Sequence, residues 1–230
     1  PPDHVLFDFD GTLSLIREGW PEVMVPMMVE LLQETGTDES AQELTGIAAN
    51  FVMALAGKQT IYQMIRLADE VVQRGGRAEN PLHYKQIYHD RLMLKIEARR
   101  EDLRTERAAA ESMLVPGAIA MLSALQDRGA QLYLASGTDE EFVREEADLL
   151  GLTPYFGERL HGAVDDYLSY SKAQVIQRIF EEQEIDGARL LGFGDGYVEI
   201  ENVKSAGGTA VAVASDEAGR SGEPDAWKRQ

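Results

Sequence analysis

The chain has 230 residues, 44% of them apolar, with 22 Lys and Arg against 40 Asp and Glu, a formal charge of −18. That length suits one large domain, or one domain carrying an insert, and the charge argues against nucleic acid or an anionic membrane as the main partner, since both bind positive surfaces. With no Cys, disulfides, thiolate zinc centres and cysteine nucleophiles are excluded.

A small anionic substrate remains compatible with the charge, because a few local cations, helix N-termini or a metal can outweigh the overall field. No apolar run approaches the roughly 20 residues of a membrane helix. The chain opens Pro1-Pro2-Asp3-His4, with neither an initiator Met nor a basic stretch followed by an apolar one. A processed or trimmed product is left open, and a cytoplasmic location fits.

Val5-Leu6-Phe7 reads as a short buried strand that delivers Asp8 and Asp10 to its C-terminal end. Helical periodicity then runs from about Trp20 to Glu111, in pieces Pro21–Glu34, Ser40–Leu55, Thr60–Gln73 and Pro81–Glu111. Gly and polar turns punctuate them, and no alternating strand pattern appears. After Pro116-Gly117 the character changes. A helix (Ala118–Arg128) leads to the strand Gln131–Ala135, which ends at Ser136-Gly137-Thr138. Helices over Asp139–Leu150 and Ser171–Gln183 follow, then the strand Leu190–Phe193, the acidic turn Gly194-Asp195-Gly196, a helix over Val198–Ser205 and a strand over Thr209–Ala214. Strands alternating with helices imply an α/β fold, a doubly wound, mostly parallel sheet with helices on both faces. The polar tail beyond Ser215, with Trp227 near its end, is either a flexible terminus or the start of a further helix and strand.

In an open parallel sheet, ligands bind outside the carboxyl ends of the strands. Three polar clusters fall there: Asp8-Phe9-Asp10-Gly11-Thr12, Ser136-Gly137-Thr138, and Gly194-Asp195 with Glu199 beyond. A bare Asp-x-Asp is as easily an acidic turn or helix cap. A third acidic strand end at Asp195 shifts the balance, because carboxylates sharing one crevice repel unless a cation neutralises them. With hard oxygen ligands and no Cys, Mg²⁺ is the natural choice. Ser136-Gly137-Thr138 can be a plain strand-to-helix turn, or can offer a hydroxyl and backbone donors to a phosphate. It is no nucleophile elbow, since Leu134 and Thr138 hold the positions that need Gly. Gly192-Phe193-Gly194 starts a dinucleotide fingerprint but has Tyr197 where the third Gly belongs. Lys172, taken alone, is most simply an exposed helix residue.

Together the four segments resemble the haloacid dehalogenase (HAD) superfamily. Asp8-Phe9-Asp10-Gly11-Thr12 matches the family's first motif, Ser136 the second, Lys172 the third, and Gly194-Asp195-Gly196-Tyr197-Val198-Glu199 the acidic fourth. The helical stretch between the first two motifs resembles the family's C1 cap. The resemblance implies a discontinuous α/β core over 1–15 and 114–230, with an all-helical cap over 16–113 hinged at Leu13–Gly19 and Ser112–Gly117. It implies a Mg²⁺-dependent phosphatase of a small phosphorylated metabolite, phosphoglycolate or a sugar phosphate. Asp8 would attack phosphorus to give an aspartyl-phosphate, and Asp10 would protonate the leaving alcohol and then activate water. Asp8, Asp10 and Asp195, with Glu199 near the ion or near Lys172, would hold Mg²⁺. Ser136, Gly137 and Thr12 would serve the phosphoryl group, and Lys172 would offset charge. Resemblance also implies that carbon–halogen cleaving members lack an acid at Asp10, which favours phosphate-ester chemistry.

Arg17 and Trp20, just after the first motif, could flank the leaving group, and Lys58 is the best cap-loop cation for a second anion; an exposed loop lysine is the plainer alternative. Glu97 to Arg107 holds four acids and four Arg and reads as a solvated, self-paired helix face. Met24, Met27 and Met28 read as cap interior. A phosphosugar mutase of the β-phosphoglucomutase type shares both aspartates and stands as the alternative, with a non-catalytic regulator behind it. The expected assembly is a monomer or homodimer, with no nucleic-acid or membrane partner.

Overall fold

The computed structural model describes residues 2–164 and 170–215; the tail beyond Ser215, Trp227 included, lies outside them. β1 (His4–Phe7) is followed by four helices, α1 (Pro21–Gln33), α2 (Ala41–Ala54), α3 (Thr60–Gln73) and α4 (Pro81–Arg104), and a 3-10 turn at Ala110–Met113. Then come α5 (Ala118–Asp127), β2 (Gln131–Asp139), α6 (Glu140–Leu149), α7 (Thr153–Phe156), β3 (Leu160–Ala163), α8 (Lys172–Gln183), β4 (Leu190–Gly194), α9 (Tyr197–Ser205) and β5 (Thr209–Ala212). The five strands form one all-parallel sheet in the order β3-β2-β1-β4-β5. β1 lies at its centre, which puts Asp8 and Asp10 over the middle of the C-terminal edge.

The two-residue period of a strand sorts its side chains between the faces. Val5 and Phe7 with Leu132 and Leu134 join Val143, Ala147 and Phe156 on one face. Leu6, Tyr133 and Ala135 pack against Val175, Ile176, Ile179 and Val203 on the other. The sheet is therefore covered on both sides, as the alternating pattern implies. Of the apolar residues between β1 and β2, Met27, Met28, Leu32, Leu44, Leu67 and Ile96 are fully buried and Met24 nearly so, in one continuous cluster with Val5, Phe7 and Leu134 of the sheet. Burial of each such side chain stabilises by about 1.5–3 kcal/mol. Start signals are explicit. Ser40 and Glu43 form a capping box at α2, the Asn80 side chain caps α4, and Pro occupies the first turn of α1 and α4.

Three local readings differ from the structure. The expected helix Pro81–Glu111 stops at Arg104, where Glu106 turns left-handed (φ 55°), and no Gly marks that stop. β3 was absent from the expected elements; it is a four-residue strand, Leu-His-Gly-Ala, with none of the β-branched residues that signal strands. The charged face of α4 is also only partly self-paired. Arg104 joins Glu97 at 2.6 Å, but it also reaches Glu145 of α6 at 2.5 Å. Arg100 is buried and hydrogen-bonds the same Glu145. Arg99 donates to the carbonyls of Ile16 and Glu18 at 2.9 and 2.8 Å. With Lys85 on Asp139 at 2.5 Å, these bonds strap α4 to the core around α6.

Candidate active site

The segment after β1 is pinned by its own backbone. The carbonyl of Phe9 accepts the N–H groups of Thr12, Leu13 and Ser14, and Gly11 adopts φ 73°, which favours glycine. Phe9 itself is fully buried, so the aspartates on either side of it project toward the sheet edge. The Asp8 N–H continues the sheet by donating to the Phe193 carbonyl at 2.9 Å.

A pocket opens above this edge between the core and the helices that follow β1. Asp8, Asp10, Arg17, Trp20, Lys58, Ser136, Gly137, Lys172 and Asp195 line it, which gathers most of the residues expected from sequence. Thr12 and Glu199 stand behind the wall. Thr12 donates to Asp8 Oδ2 at 3.4 Å, and Glu199 is hydrogen-bonded to Lys172. Glu199 thus lies against the lysine. Lys172 is not an exposed helix residue: it is 6% exposed, and its Nζ donates to Asp8 Oδ1 at 2.6 Å.

Burial acts against charge on Lys172, but Asp8 and Glu199 outweigh it and hold its pKa well above the usual lysine value. Asp8 is pushed up, first by burial, then by the neighbouring charges of Glu199 and Asp195, while Lys172 pulls it down. One lysine does not balance that group of carboxylates. Two buried oxygens, Asp10 Oδ1 and Glu199 Oε2, also have no hydrogen-bond partner among the described residues.

Several contributors carry no motif signal. Thr138 donates its hydroxyl to Asp10 Oδ2 at 2.9 Å and its N–H to Ser136 Oγ at 3.0 Å, which orients both side chains. Tyr170 donates to the Ser136 carbonyl at 2.9 Å. Glu146, buried on α6, pairs with Arg17. Met24, Thr60, Gln63 and Tyr88 complete the pocket wall. The loop between α2 and α3 closes over the core motifs. A Cβ on Gly137 would lie 2.6 Å from the Lys58 carbonyl, and one on Gly57 would lie 2.5 Å from the Glu199 carboxylate. Gln59, buried, donates to the Tyr170 carbonyl at 2.6 Å and fastens that loop down. Lys58 itself is exposed, with its side chain at the pocket rim.

The model of one protein family matches residues 2–207, from β1 through α9: haloacid dehalogenase-like hydrolase. The chain belongs to the haloacid dehalogenase-like hydrolases. Solved structures agree on the fold of this hydrolase. A predicted phosphoglycolate phosphatase from Haemophilus somnus 129PT shares 18% identity at a TM-score of 0.59, covering 92% of this chain and 84% of that one. A β-phosphoglucomutase from Clostridium difficile shares 12% at 0.60, with the same coverage of both chains. An Entamoeba histolytica HAD hydrolase, family IA, variant 3, shares 18% at 0.58, covering 91% and 83%. No curated protein sequence matches.

The residues of this HAD-like hydrolase fit a hard divalent cation. Asp8, Asp10 and Asp195 face one pocket, and Asp10 Oδ1 makes no hydrogen bond among the described residues. Among the described residues no three acidic or histidine side chains enclose an ion by themselves.

Proposed function

We propose that this protein is a Mg²⁺-dependent phosphatase that hydrolyses a small phosphorylated metabolite, of the phosphoglycolate or sugar-phosphate class, through an aspartyl-phosphate. The observation that carries the reading is the convergence of Asp8, Asp10, Ser136, Gly137, Lys172 and Asp195 on one pocket from four separate strand or helix ends. We further propose that residues 16–113 act as a cap over a core built from 1–15 and 114–230. A cytoplasmic setting is part of the same reading.

In this mechanism Asp8 attacks phosphorus, and its carboxylate becomes the acyl phosphate while the ester oxygen departs. Asp10 supplies the proton to that oxygen, then accepts one from the water that hydrolyses the intermediate. Thr138 and Ser136 hold Asp10 Oδ2 from the side of β2, while the buried Oδ1 makes no hydrogen bond among the described residues. Ser136 and the Gly137 N–H bind phosphoryl oxygens, and Lys172 offsets charge on Asp8 and on the phosphate; fixed donors of this kind are worth about 10²–10³ in rate each. Glu199 keeps Lys172 in place, and Thr12 steadies the far oxygen of Asp8. Mg²⁺, held by Asp8, Asp10 and Asp195, would supply charge screening for the approach of a carboxylate to a phosphate dianion.

The test is phosphate release from a panel of phosphoglycolate, sugar phosphates, nucleotides and an aryl phosphate, with Mg²⁺ and with EDTA. Release in Mg²⁺ that EDTA abolishes is the expected result. No release from any ester, or release indifferent to EDTA, rejects the proposal. Turnover of a sugar phosphate only in the presence of its bisphosphate points to a mutase instead.

A further inference from the structure

Glu146 lies on α6 with 0% exposure, and a buried carboxylate persists only with a partner. Its hydrogen-bond partner is Arg17, whose Nε donates to Oε2 at 3.0 Å and Nη2 to Oε1 at 2.8 Å, and Arg100 Nε lies 3.9 Å from Oε1. One turn earlier on α6, the Phe142 ring centroid lies 5.8 Å from the guanidinium carbon. Arg17 is thus clamped on an edge and over a face. Its pKa stands above the ordinary arginine value: burial lowers it, but Glu146 and Asp10 outweigh that, so it remains a cation.

The clamp leaves donors to spare. An arginine has five N–H bonds, and Nη1 hydrogen-bonds no described residue. Arg17 Nε lies 3.9 Å from the unpartnered Asp10 Oδ1, and both residues line the pocket beside Trp20, Met24 and Tyr88. Stability alone gives no reason for this arrangement. A hydrophobic pair of similar volume would hold α6 as well or better, since a buried ion pair is weak evidence for stability.

We propose that Glu146 is a positioning residue for leaving-group selection. It holds Arg17 so that the remaining N–H groups meet an acceptor oxygen of the leaving group, two or three bonds from the ester oxygen that Asp10 protonates. This rests on the phosphatase reading above. Asp10 lies one hydrogen bond from that ester oxygen, roughly 2.7 Å, and Arg17 adjoins Asp10, so Arg17 reads the near end of the leaving group rather than its far end. The class selected is a short phosphorylated hydroxy acid whose carboxylate falls at that point, in preference to a simple alkyl phosphate.

The experiment compares kcat/KM for 2-phosphoglycolate with that for ethyl phosphate, which lacks the carboxylate, in Mg²⁺. Wild type, Glu146→Gln, Arg17→Gln and the double variant are measured. Wild type favours phosphoglycolate. Glu146→Gln lowers that preference about tenfold, the worth of one charge-assisted hydrogen bond, mainly through KM. Arg17→Gln lowers it at least as far, and adding Glu146→Gln to Arg17→Gln changes it no further. If Glu146→Gln does not fold, Glu146→Asp, which keeps the charge and withdraws the carboxylate by one methylene, is expected to show the same loss. A purely structural Glu146 would slow both esters alike and leave the preference intact, and that result overturns the proposal. So do additive losses in the double variant, or a wild type that turns over other esters without favouring phosphoglycolate over ethyl phosphate. A wild type that releases phosphate from no ester overturns the phosphatase reading beneath it.

Discussion

Replacing Gly137 by Ala tests whether the loop between α2 and α3 sits on the phosphate-binding turn. The added methyl would lie 2.6 Å from the Lys58 carbonyl oxygen and 3.1 Å from its carbon, both backbone atoms that no rotamer change can move. Ordinary contact begins at 3.4 Å, so the loop must retreat by about 0.8 Å, the difference between the two distances. Gln59, hydrogen-bonded to the Tyr170 carbonyl, resists that retreat. Overpacking of this size costs about 1–3 kcal/mol, and a displacement near 1 Å at a reacting centre can cost about 10²-fold in rate. The expected outcome is a kcat/KM lowered 10- to 100-fold with a modest fall in Tm, read by phosphate release and thermal unfolding on the same preparation. Wild-type kinetics together with wild-type Tm would refute the close approach, because the methyl would then have found room.

Further outcomes follow from the buried charges. Lys172→Met strands Asp8 and Glu199 in a buried site, so stability should fall by about 3–5 kcal/mol in urea unfolding, and activity should be lost; unchanged stability would contradict the pairing. Asp195→Asn removes one carboxylate from the pocket, and should raise the Mg²⁺ concentration needed for half-maximal phosphate release by about tenfold or more; an unshifted Mg²⁺ titration would remove Asp195 from the ion's surroundings. The α4–α6 strap should be acid-labile. Hydrogen bonding from Arg104 holds the Glu145 carboxyl below its ordinary 4.5, with Arg100 adding to it against the opposing effect of burial. Its contribution is complete above that ordinary value and lost as pH falls through the depressed one. Glu145→Gln should therefore lower Tm at neutral pH, and the gap to wild type should close as pH drops below 4.5; a gap that stays constant with pH would contradict it.

The parts of the site that lie at strand ends were legible in the sequence, and the parts that depend on distant packing were not. Asp8 and Asp10 follow an apolar run that reads as a buried strand, and Asp195 follows another, so the topology of a parallel sheet brings them to one edge. Lys172 was recognisable only by resemblance, because nothing local distinguishes it from the solvated lysines of other helices; its partners Asp8 and Glu199 are 164 and 27 positions away. Glu146 gave no signal. It lies in a run of acids on an amphipathic helix, and its partner Arg17 is 129 positions away. Arg100 misled for a related reason: its local acids suggested self-pairing, but the neighbouring helix supplied Glu145 as a second partner. Ser136-Gly137-Thr138 offered a plain strand-to-helix turn as one reading, whereas the strand continues through it to Asp139 and Thr138 turns its hydroxyl onto Asp10. β3 escaped because four residues without β-branched side chains carry no periodicity.

The most direct test of the nucleophile is the Asp8→Asn variant, assayed for phosphate release in Mg²⁺ beside the wild type. The amide keeps the shape of the side chain but cannot form an acyl phosphate. Folded Asp8→Asn, with its Tm confirmed, should release no phosphate from the best wild-type substrate. Release at a measurable fraction of the wild-type rate would contradict attack by Asp8.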